Sequence, residues 1–343
     1  NYGLATKGTV PAVSVYKPDS SILLPDYQRN GADSKGKTDT VALYAFDTLK
    51  FNDQWQDNLG LRLDRYKTSY NAMAACTATS TTQPCGSKPV GTVVPTTSDG
   101  LSKSGTLLSW KAGLLYKPAP NGSVYVNYAL SQQPPGGSNF TLSATANNAN
   151  SPNVDPQKAK TAEIGTKWEL ADKRLLVSGA LFDIEKAYEY SNNANLYVQD
   201  GIQRHRGAEV SAVGKATDAW TIMGGVTLLT ARVEGSANDG NAPINVPKVM
   251  AKLYSEYALP FAPGLSLTGG VYFVGQQYAT ASNNSRLPSY TTFDLGLRYA
   301  TKVTGRPVTL RLNVNNVANR DYWLNSYYLG SPRSVALSAQ MQF

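Results

Sequence analysis

No stretch of this chain approaches the roughly 18 consecutive apolar residues that a membrane-spanning helix requires, and the mean hydropathy is −0.31. A helical membrane protein is therefore excluded. Histidine is nearly missing, His205 being the single copy. With no G-x-S-x-G, no H-E-x-x-H and no glycine fingerprint behind a strand, neither an elbow-serine nor a metal-hydrolase mechanism has its parts, and no enzyme is expected. Charged residues make up only 16% of the chain, and the net charge of +8 is thinly spread. Its tightest cluster, Arg204, His205 and Arg206, falls short of the runs of about five or six cations that mark a nucleic-acid surface. No nucleic-acid partner is expected. Cysteine occurs twice, as Cys76 and Cys85 in ACTATSTTQPCG. A Thr-, Ser- and Pro-rich loop without a nearby histidine lacks the ligands for zinc and fits a disulfide, which implies an oxidising compartment.

What the chain has is alternation. The final residues, SVALSAQMQF, place Val335, Leu337, Ala339, Met341 and Phe343 on one face of a strand. A soluble strand ending on its apolar residues leaves an edge open to pairing, whereas the closing strand of a membrane barrel has lipid to face. Phe293, Leu295, Leu297 and Tyr299 alternate with Asp294, Gly296 and Arg298, and Leu59, Leu61 and Leu63 with Gly60, Arg62 and Asp64. Parity alone does not say which face is outside.

Connection lengths and composition decide it. Short connections near Asn52 to Gln54, Pro118 to Gly122, Ala171 to Lys173, Lys215 to Asp218, Pro260 to Gly264 and Thr301 to Arg306 interleave with long ones rich in Asn, Ser, Gly and Tyr. Outer-membrane barrels keep short turns on the periplasmic side and long loops outside the cell, an asymmetry that sandwiches have no reason to hold. Lys117 to Gly122 and Ala171 to Lys173 are thus expected to be periplasmic, with Gln132 to Asp155 and Tyr188 to Gln203 as outer loops. The 21 tyrosines suit interfacial girdles, where ring and hydroxyl prefer different solvents. The reading is all-β: a transmembrane antiparallel β-barrel in bacterial outer-membrane lipid.

At ~9 to 11 residues per crossing the chain offers roughly 13 or 14 strands, without a composition break, so residues 1–343 read as one domain. Asn1 is followed by no signal-peptide pattern, and the expectation is a C-terminal portion of a longer barrel. One motif is a trap. Gly31 to Thr38, GADSKGKT, fits G-x-x-x-x-G-K-[ST], yet a P-loop needs a helix after it and DTVALYAFDTLKF is strand-like.

From Asp39 onward the chain resembles the barrel of TonB-dependent siderophore receptors, especially the catecholate group. The resemblance is carried by TVALYAFDTLKFNDQWQDNLGLRLDRY at Thr40 to Tyr66, SWKAGLLYKPAPNGSVYVNYALS at Ser109 to Ser131 and VDPQKAKTAEIGTKWEL at Val154 to Leu170. It continues through IQRHRGAEV at Ile202 to Val210, INVPKV at Ile244 to Val249, LNVNNVANRDYW at Leu312 to Trp323 and LGSPRSVALSAQMQF at Leu329 to Phe343.

The resemblance implies a barrel of about 22 strands filled by an N-terminal plug, with roughly eight strands, the plug and the TonB-contacting segment preceding Asn1. It also implies ferric siderophore as transported ligand, no covalently bound cofactor, and as partners the TonB complex, the protein's own plug and outer-membrane lipid. Pro156, Gly207, Asn313, Asn315 and Asn316 read as strand-entry and turn residues. Arg62, Glu163, Glu209 and Arg298 are candidates for polar contacts facing the plug. A ferric catecholate is anionic and flat-ringed, so tyrosine and tryptophan can stack on it and arginine attract it. The outer-end candidates are Tyr188, Tyr190, Tyr197, Tyr322, Trp323, Tyr327, Tyr328 and Arg333. A passive porin, a receptor for another scarce ligand such as heme or cobalamin, and a soluble adhesin or lectin are the competing readings. The adhesin needs polar outer faces, contrary to Leu265, Leu267, Val271 and Phe273.

Overall fold

A computed structural model describes residues 2–6, 12, 14–19, 21–22, 27–81, 83–136, 140–145, 150–191, 197–236 and 238–342, the backbone alone being described at 2–6, 27–31, 189–191 and 197–200. Phe343 and the apolar run at 23–24 lie outside the described residues. The strands are β1 (Tyr2–Thr6), β2 (Tyr27–Lys50), β3 (Trp55–Ala75), β4 (Val93–Pro95), β5 (Leu101–Ala119), β6 (Gly122–Gln133), β7 (Gln157–Leu170), β8 (Leu175–Ser191) and β9 (Tyr197–Lys215). They continue as β10 (Trp220–Glu234), β11 (Val249–Ala258), β12 (Leu265–Val274), β13 (Gln277–Tyr278), β14 (Arg286–Leu287), β15 (Tyr290–Val303), β16 (Arg306–Asn315) and β17 (Ser334–Met341). One antiparallel sheet of 15 strands runs as a meander from β1 to β17, with β4 attached to β3 and the β13–β14 hairpin set aside. Gly31 to Thr38 lies inside β2, where Lys37 pairs Ser69 and Thr38 pairs Thr68, so no phosphate loop exists there.

The sheet is inside-out relative to a soluble domain. Cross-strand partners share a face, and following the register gives one apolar row after another: Leu43 with Leu63, Leu63 with Leu108, and Leu61 with Trp110. The rows go on as Val126 with Ile164, Ile164 with Leu181, Leu267 with Leu297, and Leu312 with Leu337. These side chains are exposed, Leu43 at 77% and Leu337 at 80%, which a soluble sheet would not tolerate over such an area. The opposite face carries Arg62, Asp64, Tyr66, Glu163, Lys252, Glu256 and Arg298.

The band has limits. Along β3 the outward face runs from Trp55 through Asp57, near the short-turn edge, and Leu59, Leu61 and Leu63 to its first cation at Arg65, roughly 33 Å along the strand and about 25 Å of height at a tilt near ~40°, the thickness expected of a lipid-facing band. At its short-turn edge Trp55 packs on Tyr116 with ring centroids 4.6 Å apart, and Trp220, paired with Tyr257, donates its indole N–H to Ser255 Oγ at 2.7 Å. Tyrosine is not confined to such girdles. Tyr66, Tyr125, Tyr254 and Tyr272 lie on the polar face, a use of the ring that composition does not distinguish.

All six short connections fall at one end of the sheet. Ala171, Asp172 and Lys173 turn there in the left-handed region, with φ of 50°, 55° and 66°, and the Asn52 side chain accepts the Gln54 and Trp55 backbone N–H groups. The opposite end carries the long connections, with one correction. Tyr188 to Gln203 is not a loop: Tyr188 pairs Gly201 and Tyr190 pairs Val198, so β8 and β9 rise as a ribbon beyond the band, where Tyr188, Tyr190, Tyr197, Val198 and Ile202 supply the aromatic and β-branched residues that favour pairing. Within the longest connections, Cys76 and Cys85 form a disulfide with Cα atoms 4.9 Å apart, packed with Val94. This small cluster lies outside the lipid band, at the long-loop end.

Candidate functional site

The outer mouth is built from three connections tied to one another: 235–248, 275–289 and 316–333. Asn245 donates its amide to Ser326 Oγ at 2.9 Å and accepts the Ser326 backbone N–H at 2.8 Å. Gln277 donates to the Leu324 carbonyl, and Asn283 both accepts from the Ala242 backbone and donates to its carbonyl. Asn245 and Asn283 adopt φ of 60° and 57°, which asparagine tolerates better than other residues with a Cβ. Each connection is thereby held to its neighbour through side-chain amides.

Within the last connection, Leu324 N–H bonds the Tyr328 carbonyl and Gly330 N–H the Tyr322 carbonyl, forming a short hairpin. Asn325 Oδ1 accepts the Tyr327 and Tyr328 N–H groups at 2.8 and 3.0 Å, which turns the tip and leaves Tyr327 70% and Tyr328 65% exposed. Tyr322 has a different job. Its ring lies 4.2 Å from that of Tyr290, and a Cβ on Gly330 would stand 2.1 Å from it. Burial pushes its phenol above the ordinary range, a backbone hydrogen bond from Ser331 opposes this and the Asp294 carboxylate adds to the rise. A neutral, packed ring holds the base of the hairpin. Trp323 is half-buried and donates to the Ser14 carbonyl at 3.3 Å, while Arg333 is exposed and its backbone N–H is held by Asn319 Oδ1.

The structure does not bring all the expected contact residues together. Tyr322, Trp323, Tyr327 and Tyr328 share the hairpin. Tyr188, Tyr190 and Tyr197 sit on the β8–β9 ribbon, and the side chains of Tyr190 and Tyr197 lie outside the described residues. Sequence reading missed a cavity of about 350 Å³ beneath the tied loops, lined among others by Lys248, Phe273, Gln277, Tyr278 and Arg286. The Arg286 guanidinium stands 5.0 Å over the Tyr278 ring and donates to its hydroxyl at 2.9 Å. No motif joins Lys248 to Arg286, and only the folding of two connections onto each other does.

On the inner face, Arg62 grips Asp64 through Nε and Nη2 at 2.7 to 3.0 Å. Tyr125 donates to Glu163 Oε1 at 2.6 Å, and Arg298 holds Glu256 and reaches Ser266. Glu209 pairs in register with Thr227 and Ala180 and has no ion-pair partner among the described residues. Gly165 is glycine because the Tyr125 hydroxyl would stand 2.4 Å from a Cβ there. Asn316, at φ 48°, bonds Arg320 and Ser331 through its buried amide and shapes the turn leaving β16.

A lipid-facing meander with short turns at one end and tied loops at the other defines an outer-membrane β-barrel. The family profile described as TonB dependent receptor-like, beta-barrel matches residues 2–317, and the chain belongs to that family, whose members reside in the bacterial outer membrane. It is 40% identical over 364 aligned positions to the catecholate siderophore receptor Fiu of Escherichia coli K12, covering 100% of this chain and 47% of that protein. The crystal structure of the ferric-catecholate import receptor Fiu in its closed form superposes with a TM-score of 0.80 at 38% identity, covering 100% of this chain and 50% of that one. The siderophore receptor PiuA from Acinetobacter baumannii gives a TM-score of 0.73 at 27% identity, with 95% of this chain and 46% of that one covered. The chain thus spans about half the length of the relatives it matches.

Proposed function

We propose that this chain is the barrel portion of a receptor that binds ferric siderophore complexes, of the catecholate type, at its outer mouth and imports them with energy supplied through TonB. The carrying observation is the 40% identity that extends over the whole chain to a catecholate siderophore receptor. Exposed Tyr327 and Tyr328 at the tip of the last hairpin support the same ligand chemistry, since aromatic rings suit a flat catecholate complex. In the intact receptor a plug would fill the polar inner face. Of the candidates for plug contact, Glu209 is the strongest, because Arg62, Glu163 and Arg298 already hold partners in the wall. A passive porin would need neither tied aromatic loops nor a plug, and the family resemblance opposes it. Heme or cobalamin would be selected at the same mouth by different ring chemistry, so ligand competition separates those readings.

The test is equilibrium binding of a ferric catecholate to the purified intact receptor. Replacing Trp323, Tyr327, Tyr328 and Arg333 together by alanine should weaken binding at least about tenfold, each stacking or charge contact being worth roughly 0.5 to 2 kcal/mol. The heat-modifiable barrel should be retained. Unchanged affinity in that variant removes the hairpin from the site, and tighter binding of heme or cobalamin than of the catecholate overturns the ligand class.

A further inference from the structure

The connection between β6 and β7, in its described residues 140–145 and 150–156, folds onto the polar inner wall. The Phe140 carbonyl presses on β2 at Gly36, where a Cβ would stand 2.2 Å from the carbonyl oxygen, so only glycine admits the approach. The register fixes the side. Gly36 pairs Tyr70 and Thr38 pairs Thr68, on the face that carries Arg62, Asp64 and Tyr66. Leu142 and Ser151 of the connection are fully buried, as are Tyr66 and Thr68 on that wall. The Ala144 N–H donates to Ser98 Oγ at 3.0 Å, and the Ser143 N–H to the Asn150 carbonyl at 3.0 Å. Wall, neighbouring turn and its own backbone hold the connection in place.

Phe140 is the exception in this packing. It adopts φ of 53°, a left-handed conformation that is costly for a bulky side chain, whereas Asn245, Asn283, Asn316 and Asn319 fill the comparable positions in the other outer connections. Among the described residues it is the one aromatic with a positive φ. Its ring is nevertheless 42% exposed, while Leu142, two residues on, is 1% exposed. Leu142 docks the connection, and the strained backbone at Phe140 presents a ring instead of burying one. Strain of this kind persists where the surroundings enforce it, and it collects at ligand sites.

We infer that Phe140 is a ligand-contact residue of the mouth, its ring stacking on an aromatic ring of the ferric catecholate. The inference rests on the function proposed above and adds to that site a wall on the side of β2. Trp323 of the last hairpin donates to the Ser14 carbonyl, on the connection that enters β2, so the hairpin and the head of β2, where Phe140 stands, border the same opening. A phenylalanine ring carries no charge. Its contribution is an offset or edge-on contact with a flat ring, which favours a catecholate over an iron chelate that has none. The glycine and lysine run at Gly31 to Thr38 thereby has a role without phosphate, since Gly36 is the seat of the Phe140 carbonyl.

The test measures equilibrium binding of ferric dihydroxybenzoate to the purified intact receptor. Glycine suits a positive φ, so Phe140→Gly removes the ring and keeps the backbone; it should weaken binding about threefold to tenfold while proteolysis of the connection stays as in the wild type. Phe140→Trp, which keeps an aromatic face, should bind like the wild type. Should Phe140→Gly open the connection to protease, Phe140→Leu, apolar and of similar size without a ring, takes its place and should show the same loss. Wild-type affinity in the ring-free variant with the connection intact overturns the inference and leaves the proposed function standing. So does an equal loss in Phe140→Trp, which makes the residue a packing one. A wild type that does not bind ferric dihydroxybenzoate overturns the catecholate reading, and the inference falls with it.

Discussion

At the residue scale, exposure means opposite things on the two faces of this sheet. Leu61 is 54% exposed between Ala45 and Trp110 in register, and in the membrane that exposed surface is solvated by lipid. Leu61→Lys should destabilise the barrel by roughly 2 to 4 kcal/mol, the cost of a cation near the bilayer midplane, measured by reversible unfolding in lipid vesicles. A cost near zero would place Leu61 outside the band. Gly330 makes a second residue-scale case. With the Tyr322 ring 2.1 Å from where a Cβ would stand, Gly330→Val should displace Tyr322 from Tyr290 and loosen the hairpin. Proteolysis within 322–330 should then rise while the heat-modifiable barrel persists, whereas unchanged proteolysis would mean that the ring moves aside without consequence.

At the element scale, β3 shows how one strand encodes its surroundings. Leu59, Leu61 and Leu63 face lipid, Arg62 and Asp64 bond each other on the inner side, and Arg65 and Lys67 take over the outer face where the band ends. The same logic orients the strand ends. Cysteines placed at Asp172, in a short turn, should resist a membrane-impermeant thiol reagent on intact cells, and cysteines at Ser282, in the tied outer loops, should react. The reverse pattern would invert the topology. Strand ends were harder to read in the sequence than strand middles. The β8–β9 ribbon continues past the band because pairing needs no lipid, and nothing in the Tyr188 to Gln203 sequence marks the height of the membrane surface.

At the scale of the whole molecule, the wall and the mouth are stabilised by different physics. The wall rests on strand-to-strand backbone pairing from β1 to β17 and exposes its apolar side chains on the outside, so its stability does not depend on a buried core. The mouth rests on side-chain amides, chiefly Asn245, Asn283 and Gln277, which bridge connections far apart in sequence. Changing Asn245 to Ala removes both bonds to Ser326 and should uncouple the last hairpin from the 235–248 connection. In the intact receptor the expected outcome is weaker ferric-siderophore binding with unchanged unfolding of the wall, read by equilibrium binding and by denaturation in parallel. Loss of barrel stability in that variant would mean that mouth and wall fold as one unit.

The sequence by itself determined the class of fold, the parity of each strand and the end at which the short turns lie, because these follow from side-chain period and local turn chemistry within a few residues. Leu59 to Asp64 and Ala171 to Lys173 carry that information in full. It also carried the family resemblance, segment by segment. Only the tertiary structure decided that Tyr322 is a packing residue while Tyr327 and Tyr328 face solvent, since both depend on what Tyr290 and Gly330 bring from elsewhere in the chain. It likewise decided that Lys248 and Arg286 share a cavity and that Arg62, Glu163 and Arg298 hold partners within the wall. Period fixes the face on which a side chain emerges. Which neighbour it meets depends on the register of strands and connections distant in sequence, and a single strand's pattern holds no record of that.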